Sequence, residues 1–206
     1  MTNFKSNIYF VMIAFLLSSY SGANKLNSCK VTPEHHSNYE PQIFPNSNNL
    51  LRTPGEMPLY CGEKLLIRGK LVDKNCVPIS DAKIYIWQVA CDGKYPYTPL
   101  RNVHKKEDIN LKSSATFTGA GTTITDNKGE FYFITTYPAS FRGMKPHIDF
   151  KITHRYFNQF ATRFYTTKID SEIPPVNFTT PFYNIDGTLT NEVLIVLPEK
   201  HPTREF

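Results

Sequence analysis

FRGMKPHIDF, residues 141–150, is the stretch from which the fold and the chemistry of this chain can be approached. Pro146 ends the segment before it, and the next residues alternate with the period of two that is typical of a β-strand. His147 and Asp149 therefore project from the same face of that strand. An imidazole beside a carboxylate can be two metal ligands, an acid–base pair, or the solvated side of an edge strand. These residues taken alone favour the solvated edge.

Other segments with strand character lie on both sides of this stretch. They are short and are separated by turns rich in Gly, Pro and Asn, and no segment has the apolar period of an amphipathic helix. This pattern predicts an all-β protein, a β-sandwich. The predicted strands are residues 64–73, 82–89, 122–125, 130–136, 146–153, 159–165 and 192–197.

Two of the connections between the predicted strands have a recognisable type. Residues 126–129, Asp-Asn-Lys-Gly, predict a type I turn that closes on glycine. Residues 96–114 are polar, with no convincing helix, and a loop this long within a domain is usually a lid or a site wall.

The N-terminus has the pattern of a secretory signal peptide. Lys5 precedes an apolar run over residues 8–17, and small residues end at Ala23. The run is shorter than the roughly 20 apolar residues of a membrane span, so an uncleaved anchor is the weaker interpretation. A lipid anchor through Cys29 is weaker still, because Asn27 is unusual before such a cysteine. We expect cleavage near Ala23 and export to a periplasm or to the exterior.

The remaining chain divides by composition. Residues 24–60 are predicted to be a polar N-terminal arm or linker, in which His35 and His36 are solvated. Residues 61–200 form the predicted β-sandwich, and residues 201–206 form a tail. The formal charge of +5 falls to +4 when the signal peptide and its single Lys5 are removed. This charge is spread along the chain, which argues against nucleic acid as a partner.

The cysteine count indicates disulfides. Four cysteines, Cys29, Cys61, Cys76 and Cys91, lie in the predicted exported part. In an oxidising compartment an even number favours two disulfides, but three pairings are open, as is a free buried thiol. None of the spacings is C-x-x-C, which disfavours a structural zinc site.

Five blocks, read in order, resemble one family. The blocks are IWQVACDGKY at 86–95, TDNKGEFYFIT at 125–135, YPASF at 137–141, PHIDF at 146–150 and ATRFY at 161–165. Their order is similar to that in the intradiol ring-cleavage dioxygenases, the family of protocatechuate and catechol dioxygenases. The resemblance covers roughly residues 55–166 and extends toward residue 197.

The resemblance implies a β-sandwich whose loops hold one non-haem Fe(III) ion through two tyrosines and two histidines. A small aromatic diol binds such an ion as a dianion, and molecular oxygen then opens the ring between the two hydroxyls. A hard ferric ion suits phenolate and imidazole ligands. Members of this family often assemble from several chains, so a homo- or hetero-oligomer is implied by analogy.

When the four ligands of the family are carried over residue by residue, only two of the four positions keep the same residue type. Tyr95 stands at the first tyrosine position and His147 at a histidine position. Phe141 replaces the second tyrosine and cannot ligate iron, whereas Asp149 replaces the other histidine and can. The resemblance therefore implies a metal site of Tyr95, His147 and Asp149, with open positions for substrate or oxygen.

The same alignment implies the wall of a substrate pocket. Trp87, Gln88 and Phe141 would line it, together with Arg163 in place of a family glutamine. Arg163 has two open roles, as a clamp for a substrate carboxylate or as the partner of a buried Asp149.

Three functions remain open on the sequence. The first is an exported, iron-dependent dioxygenase that acts on a catechol-type compound. The second is a catalytically inactive β-sandwich that serves as a binding module of the cell envelope, which the loss of two ligands favours. The third, a transport sandwich without metal, is disfavoured by the ligand-bearing blocks.

Overall fold

A computed structural model describes residues 28–101, 105–111, 115–167 and 177–198. These residues contain nine strands and one turn of 3₁₀ helix, which confirms the all-β prediction. The strand segments predicted from the sequence are all present, with ends that differ by at most three residues. The elements are β1 (Lys64–Val72), β2 (Lys83–Trp87), the 3₁₀ turn (Lys106–Asp108), β3 (Ala120–Ile124), β4 (Glu130–Thr136), β5 (His147–His154), β6 (Phe157–Thr166), β7 (Phe178–Thr179), β8 (Phe182–Tyr183) and β9 (Leu189–Val196).

The strands form two sheets that pack face to face. One sheet has the order β4-β1-β9-β8, and the other has the order β3-β2-β5-β6-β7. Most neighbours are antiparallel, but β1 with β9 and β6 with β7 are parallel. Apolar residues at alternate positions of each strand meet between the sheets, and they include Leu65, Ile67, Leu71, Ile84, Ile86, Phe133, Ile148, Phe150 and Ile152.

The predicted turn at residues 126–129 joins β3 of one sheet to β4 of the other. The amide of Gly129 donates to the carbonyl of Asp126 over 3.0 Å, and Gly129 has φ +71°. The Asp126 carboxylate accepts from the amides of Lys128 and Glu130, each over 2.8 Å. Glycine closes the turn because a side chain is disfavoured at positive φ.

Residues 28–60 pack against both sheets rather than extending away as a linker. Leu50 is fully buried in the core between the sheets. Its amide donates to the carbonyl of Ile134 over 2.8 Å, and its carbonyl accepts from the amide of Thr118 over 2.8 Å. Nearer the start, the hydroxyl of Thr32 accepts from the amide of Val196 over 2.8 Å. The segment is therefore packed as part of the domain and is not a separate linker.

Two disulfides select one of the three pairings that the sequence leaves open. Cys29 joins Cys76, which ties the start of the arm to the connection between β1 and β2. Cys61 joins Cys91, and none of the four cysteines is free. The cross-links restrict the unfolded chain and so stabilise the fold.

Within the part of the chain that the structure describes, no helix has the length and apolar character needed to cross a membrane. The predicted signal peptide, residues 1–23, and the predicted tail, residues 201–206, lie outside the described residues.

Replacing Leu50 by Ala tests whether the arm belongs to the cooperative fold. We expect the free energy of unfolding to fall by about 2–5 kcal/mol, because the change leaves a cavity in the core. Ile43→Ala is the matched control in the same arm, since Ile43 is 80% exposed, and it should change stability by less than about 0.5 kcal/mol. Denaturant unfolding with both disulfides intact measures the difference. A Leu50→Ala protein as stable as its control would contradict this structure of the arm.

Candidate active site

The candidate site lies on the outer face of the five-stranded sheet. On β5, Ile148 and Phe150 point between the sheets, so His147 and Asp149 point to the opposite face. The register of β2, β5 and β6 places Trp87 beside Asp149 and Asp149 beside Arg163. Three of the sequence-predicted residues therefore form a row across three adjacent strands.

This outer face is closed to solvent. His147 is 2% exposed, Asp149 1% and Arg163 7%, and Tyr95 is fully buried. Residues of the arm and of the polar loop after β2 cover the sheet here. The site is thus an enclosed one, unlike the solvated edge that residues 141–150 favour on their own.

Asp149 and Arg163 form a bidentate ion pair. Arg163 Nε donates to Asp149 Oδ1 over 2.7 Å, and Arg163 Nη2 donates to Asp149 Oδ2 over 3.0 Å. Arg163 Nη1 also contacts the sulfur of Met144 at 3.6 Å. Two parallel hydrogen bonds to a buried carboxylate are a strong arrangement, and they neutralise both charges. Of the two roles open to Arg163, the structure shows the pairing with Asp149.

His147 is held in a form suited to metal binding. Its Nδ1 lies 2.9 Å from the carbonyl oxygen of Lys145. Because a carbonyl can only accept, Nδ1 carries the hydrogen and the lone pair resides on Nε2. Burial lowers the pKa of His147, although the charge of Asp149 opposes this effect. The ring is therefore neutral, which is the state that ligates a metal.

Tyr95 has a buried hydroxyl without a partner. Two backbone hydrogen bonds fix its main chain. The amide of Tyr95 donates to the carbonyl of Asp108 over 2.8 Å, and the carbonyl of Tyr95 accepts from the amide of Asn110 over 2.9 Å. The hydroxyl and the indole Nε1 of Trp87 are both buried with no hydrogen-bond partner, and both side chains belong to one cluster on this face. Burial raises the pKa of Tyr95 far above its usual value. Unpartnered buried polar groups are costly, and these two are the ones on this face that a ligand atom could satisfy. Among the described residues, two further such atoms, on Thr136 and Asn191, lie on strands of the other sheet.

Phe141 lies in a tight turn next to Tyr95. The amides and carbonyls of Phe141 and Met144 bond to each other, and Arg142 and Gly143 between them have φ of +49° and +76°. Positive φ at both central residues gives a two-residue hairpin turn. The ring of Phe141 meets that of Tyr95 edge to face, with centroids 5.1 Å apart. An apolar ring thus stands where the resemblance expects a second tyrosine.

Gln88 is the predicted pocket residue that the structure places elsewhere. Its Nε2 donates to the carbonyl of Thr136 over 2.8 Å, and its Oε1 accepts from the hydroxyl of Thr135 over 3.0 Å. Gln88 therefore links β2 to β4 of the opposite sheet. Its parity along the chain explains the difference, since Gln88 follows Trp87 and points to the opposite face.

The arm supplies Tyr39, which the sequence analysis missed. Its ring stacks on Tyr95, with centroids 4.7 Å apart and an interplanar angle of 12°. Its hydroxyl donates to Asp108 Oδ2 over 2.7 Å, and Arg142 Nε donates to Asp108 Oδ1 over 2.8 Å. Burial alone would raise the pKa of Asp108, but these hydrogen bonds outweigh it and the pKa is lowered. Burial and the bond to Asp108 together raise the pKa of Tyr39 to about 12.

His35 also differs from the prediction of a solvated residue. It is half-buried, its amide donates to the carbonyl of Ala161 over 2.8 Å, and its imidazole interacts electrostatically with Arg163 and Asp149. His36 is exposed and pairs with Glu34 at 3.1 Å. The sequence signal for arm packing was weak. It consisted of isolated aromatic residues, such as Tyr39, in a polar segment.

The donors present fit a ferric ion in part. Within the described ranges, no three His, Cys, Asp or Glu side chains are grouped closely enough to hold a metal ion. Tyr95 Oη and His147 Nε2 are suitable donor atoms in type, although the Tyr95 hydroxyl must lose its proton before it can ligate. Asp149 suits iron chemically but is engaged by Arg163, and Phe141 offers no donor.

Removing one member of the ion pair tests whether Asp149 and Arg163 compensate each other's charge in the buried site. Arg163→Leu should lower the free energy of unfolding by about 3–5 kcal/mol, because Asp149 would remain as an unpaired buried charge. The double variant with Asp149→Leu should lose less, and urea unfolding of the full mutant cycle measures the coupling. Lys105→Ala is the control, since Lys105 and Glu107 form an exposed pair worth at most about 1 kcal/mol. Additive single-variant effects would contradict a coupled buried pair.

Comparison with known proteins agrees with this geometry. The family profile described as Dioxygenase matches residues 36–174. A Rickettsia felis protein named "Putative dioxygenase" is 44% identical over 140 residues, which covers 68% of this chain and 67% of that protein. The protocatechuate 3,4-dioxygenase beta chain of Burkholderia cepacia is 27% identical over 112 residues, covering 50% of this chain and 45% of that one.

Solved structures show the same fold. An intradiol ring-cleavage dioxygenase from Tetranychus urticae superposes with a TM-score of 0.64 at 20% identity, covering 85% of this chain and 98% of that one. A chlorocatechol 1,2-dioxygenase from Pseudomonas putida superposes with a TM-score of 0.59 at 19% identity, covering 81% and 72%. The profile match, the relatives and the shared fold together show that this chain belongs to the intradiol ring-cleavage dioxygenase family.

Proposed function

We propose that this protein is a non-haem Fe(III)-dependent dioxygenase that opens the ring of a catechol-type aromatic compound with molecular oxygen. The observation that carries the proposal is the buried, unpartnered hydroxyl of Tyr95 on the same face as His147. An unpartnered buried hydroxyl costs free energy, and a bound ligand atom would remove that cost. Its position in the family pattern supports iron as that partner.

Tyr95 and His147 would hold the ion, and Asp149 would join them as a third ligand only after leaving Arg163. A ferric ion at this place would ionise the two hydroxyls of the substrate and make its ring electron-rich. Tyr95 has a strongly raised pKa, so its proton must leave when the ion binds. Iron binding should therefore release protons and become weaker as the pH falls.

Hydrogen bonds within the protein orient the two candidate ligands, His147 and Tyr95. The carbonyl of Lys145 fixes the tautomer and the ring orientation of His147. Backbone hydrogen bonds with residues 108 and 110 hold Tyr95 in place. Phe141 helps to exclude water, but it provides neither a ligand nor a base. Because Phe141 supplies no second tyrosinate to take up a proton, ionisation of the substrate should be slower than in a protein with the full ligand set.

The aromatic residues of the site and the names of the relatives support a substrate class. Phe141, Trp87 and Tyr95 lie in one buried cluster, which suits a small planar ring. The matched proteins of Burkholderia cepacia and Pseudomonas putida are named for protocatechuate and chlorocatechol. We therefore propose a small aromatic diol as substrate.

We also propose that the protein is exported to a periplasm or to the exterior, after cleavage near Ala23. Two disulfides with no free cysteine support an oxidising compartment. A homo- or hetero-oligomer remains an expectation by analogy with the family.

A specific observation favours a second candidate, an inactive binding module of the cell envelope. The guanidinium of Arg163 already neutralises Asp149, with two hydrogen bonds in a buried site. Arg163 thus neutralises Asp149, the carboxylate that stands at a histidine position of the family pattern. If this pair never opens, too few ligands remain for catalysis.

Metal content and the visible absorption spectrum test the first candidate. Protein purified with both disulfides from an iron-supplied host should contain near-stoichiometric iron and show a tyrosinate-to-iron charge-transfer band. Tyr95→Phe should abolish the band, and His147→Ala should abolish both iron and oxygen uptake with catechol. Tyr132→Phe is the control, because Tyr132 is 52% exposed on the other sheet, and it should keep the colour. A colourless, iron-free protein would exclude the dioxygenase proposal and favour the binding module.

A further inference from the structure

We propose that Tyr39 is a built-in occupant of the aromatic-ligand site, so that residues 39–44 of the arm must lift before a catechol-type ligand can enter. The inference deepens the proposed function and rests on it for the class of ligand. The phenol of Tyr39 has the size and planarity of the proposed substrate and one of its two hydroxyls. It would therefore compete with that substrate for the same surface.

The ring of Tyr39 is placed as a bound aromatic ligand would be. It stacks almost parallel on Tyr95, with centroids 4.7 Å apart, and it meets Phe141 edge to face at 5.0 Å. These are the favourable geometries for aromatic contacts. The stacking also covers Tyr95, which is fully buried, and so separates the candidate ligand atoms from solvent.

The hydroxyl of Tyr39 is bonded in a way that a ligand can replace. Asp108 is 5% exposed and accepts the Tyr39 hydroxyl at 2.7 Å. Arg142 contacts both carboxylate oxygens of Asp108, at 2.8 and 2.6 Å, and so neutralises the charge independently of Tyr39. Asp108 would therefore remain paired when Tyr39 leaves, and it would offer one oxygen to a hydroxyl of the entering ligand.

The contacts that hold the segment closed are few and combine polar groups with aromatic rings, among them that of Phe44, which meets Tyr85 and Trp87 edge to face. Glu40 pairs with Lys151, whose ammonium group lies 5.0 Å from the ring centre of Phe44. The hydroxyl of Tyr97 donates to the carbonyl of Tyr39 over 3.1 Å. Two backbone hydrogen bonds join residues 40 and 42 to residues 100 and 98 of the polar loop. Lifting the segment breaks these contacts while the ladders of the nine strands stay intact.

The rate of chemical modification of His147 measures how well residues 39–44 shield the site, and this measurement does not depend on catalysis. Diethyl pyrocarbonate reacts with accessible imidazoles, and peptide mass spectrometry assigns the rate to each histidine. In Tyr39→Ala we expect the rate at His147 to rise about tenfold or more, because the change uncovers the ring of Phe141, which packs against His147. The rate at exposed His36 should not change. Tyr132→Ala, which removes an exposed tyrosine from the other sheet, should leave the His147 rate at the wild-type value.

Binding of 4-nitrocatechol, followed by its absorbance, is the second measurement on the same proteins. We expect a dissociation constant about tenfold lower in Tyr39→Ala than in the wild type, because no ring competes for the site. If His147 becomes reactive but 4-nitrocatechol does not bind more tightly, closure by Tyr39 stands and the proposed ligand class is wrong. If the His147 rate stays at the wild-type value in a folded Tyr39→Ala protein, the inference is overturned.

Two milder variants keep the test decisive if Tyr39→Ala does not fold. Tyr39→Phe keeps the ring and loses only the bond to Asp108, and Glu40→Gln weakens the pairing with Lys151. Each should raise the His147 rate by a few-fold, less than removal of the ring. Near-ultraviolet circular dichroism checks that each variant is folded. Unchanged His147 rates in both folded variants would overturn the inference.

Discussion

The five-stranded sheet is covered on both faces around the candidate site, and most other features of that site follow from this constraint. Its inner face packs against the second sheet, as in any sandwich. Its outer face carries Trp87, His147, Asp149 and Arg163, which are nearly inaccessible to solvent. Since polar groups on such a face need partners and apolar ones need a cover, the arm and the long polar loop lie across it. The candidate site consists of the side chains that this covering buries.

Burial decides the electrostatics of the site. A carboxylate on a covered face requires a compensating cation, which can be a metal ion or a guanidinium. In this chain the guanidinium of Arg163 faces Asp149 from the adjacent strand, in direct register. The same burial keeps His147 neutral and Tyr95 protonated. The site therefore combines one satisfied ion pair with one imidazole and one phenol whose chemistry is still available.

The relation of the arm to the site explains how a polar N-terminal segment can matter for function. Tyr39 fills aromatic space over Tyr95, while Asp108 and Arg142 come from two different loops to hold its hydroxyl. These groups are separated by up to about a hundred residues in sequence and meet only in the folded chain. A site closed by its own phenol is chemically consistent with a ligand that is itself phenolic.

The sequence alone determined the all-β class, seven of the nine described strands and the turn at residues 126–129, because strand alternation and turn residues are local signals. It indicated the family by a different route, through the resemblance of five short blocks in their order along the chain. It also placed His147 and Asp149 on one face. Only the tertiary structure decided the disulfide pairing, the partner of Asp149, the position of Gln88 between the sheets and the role of Tyr39. Each of these depends on contacts between distant segments, and neither periodicity nor composition contains information on which segment covers which face.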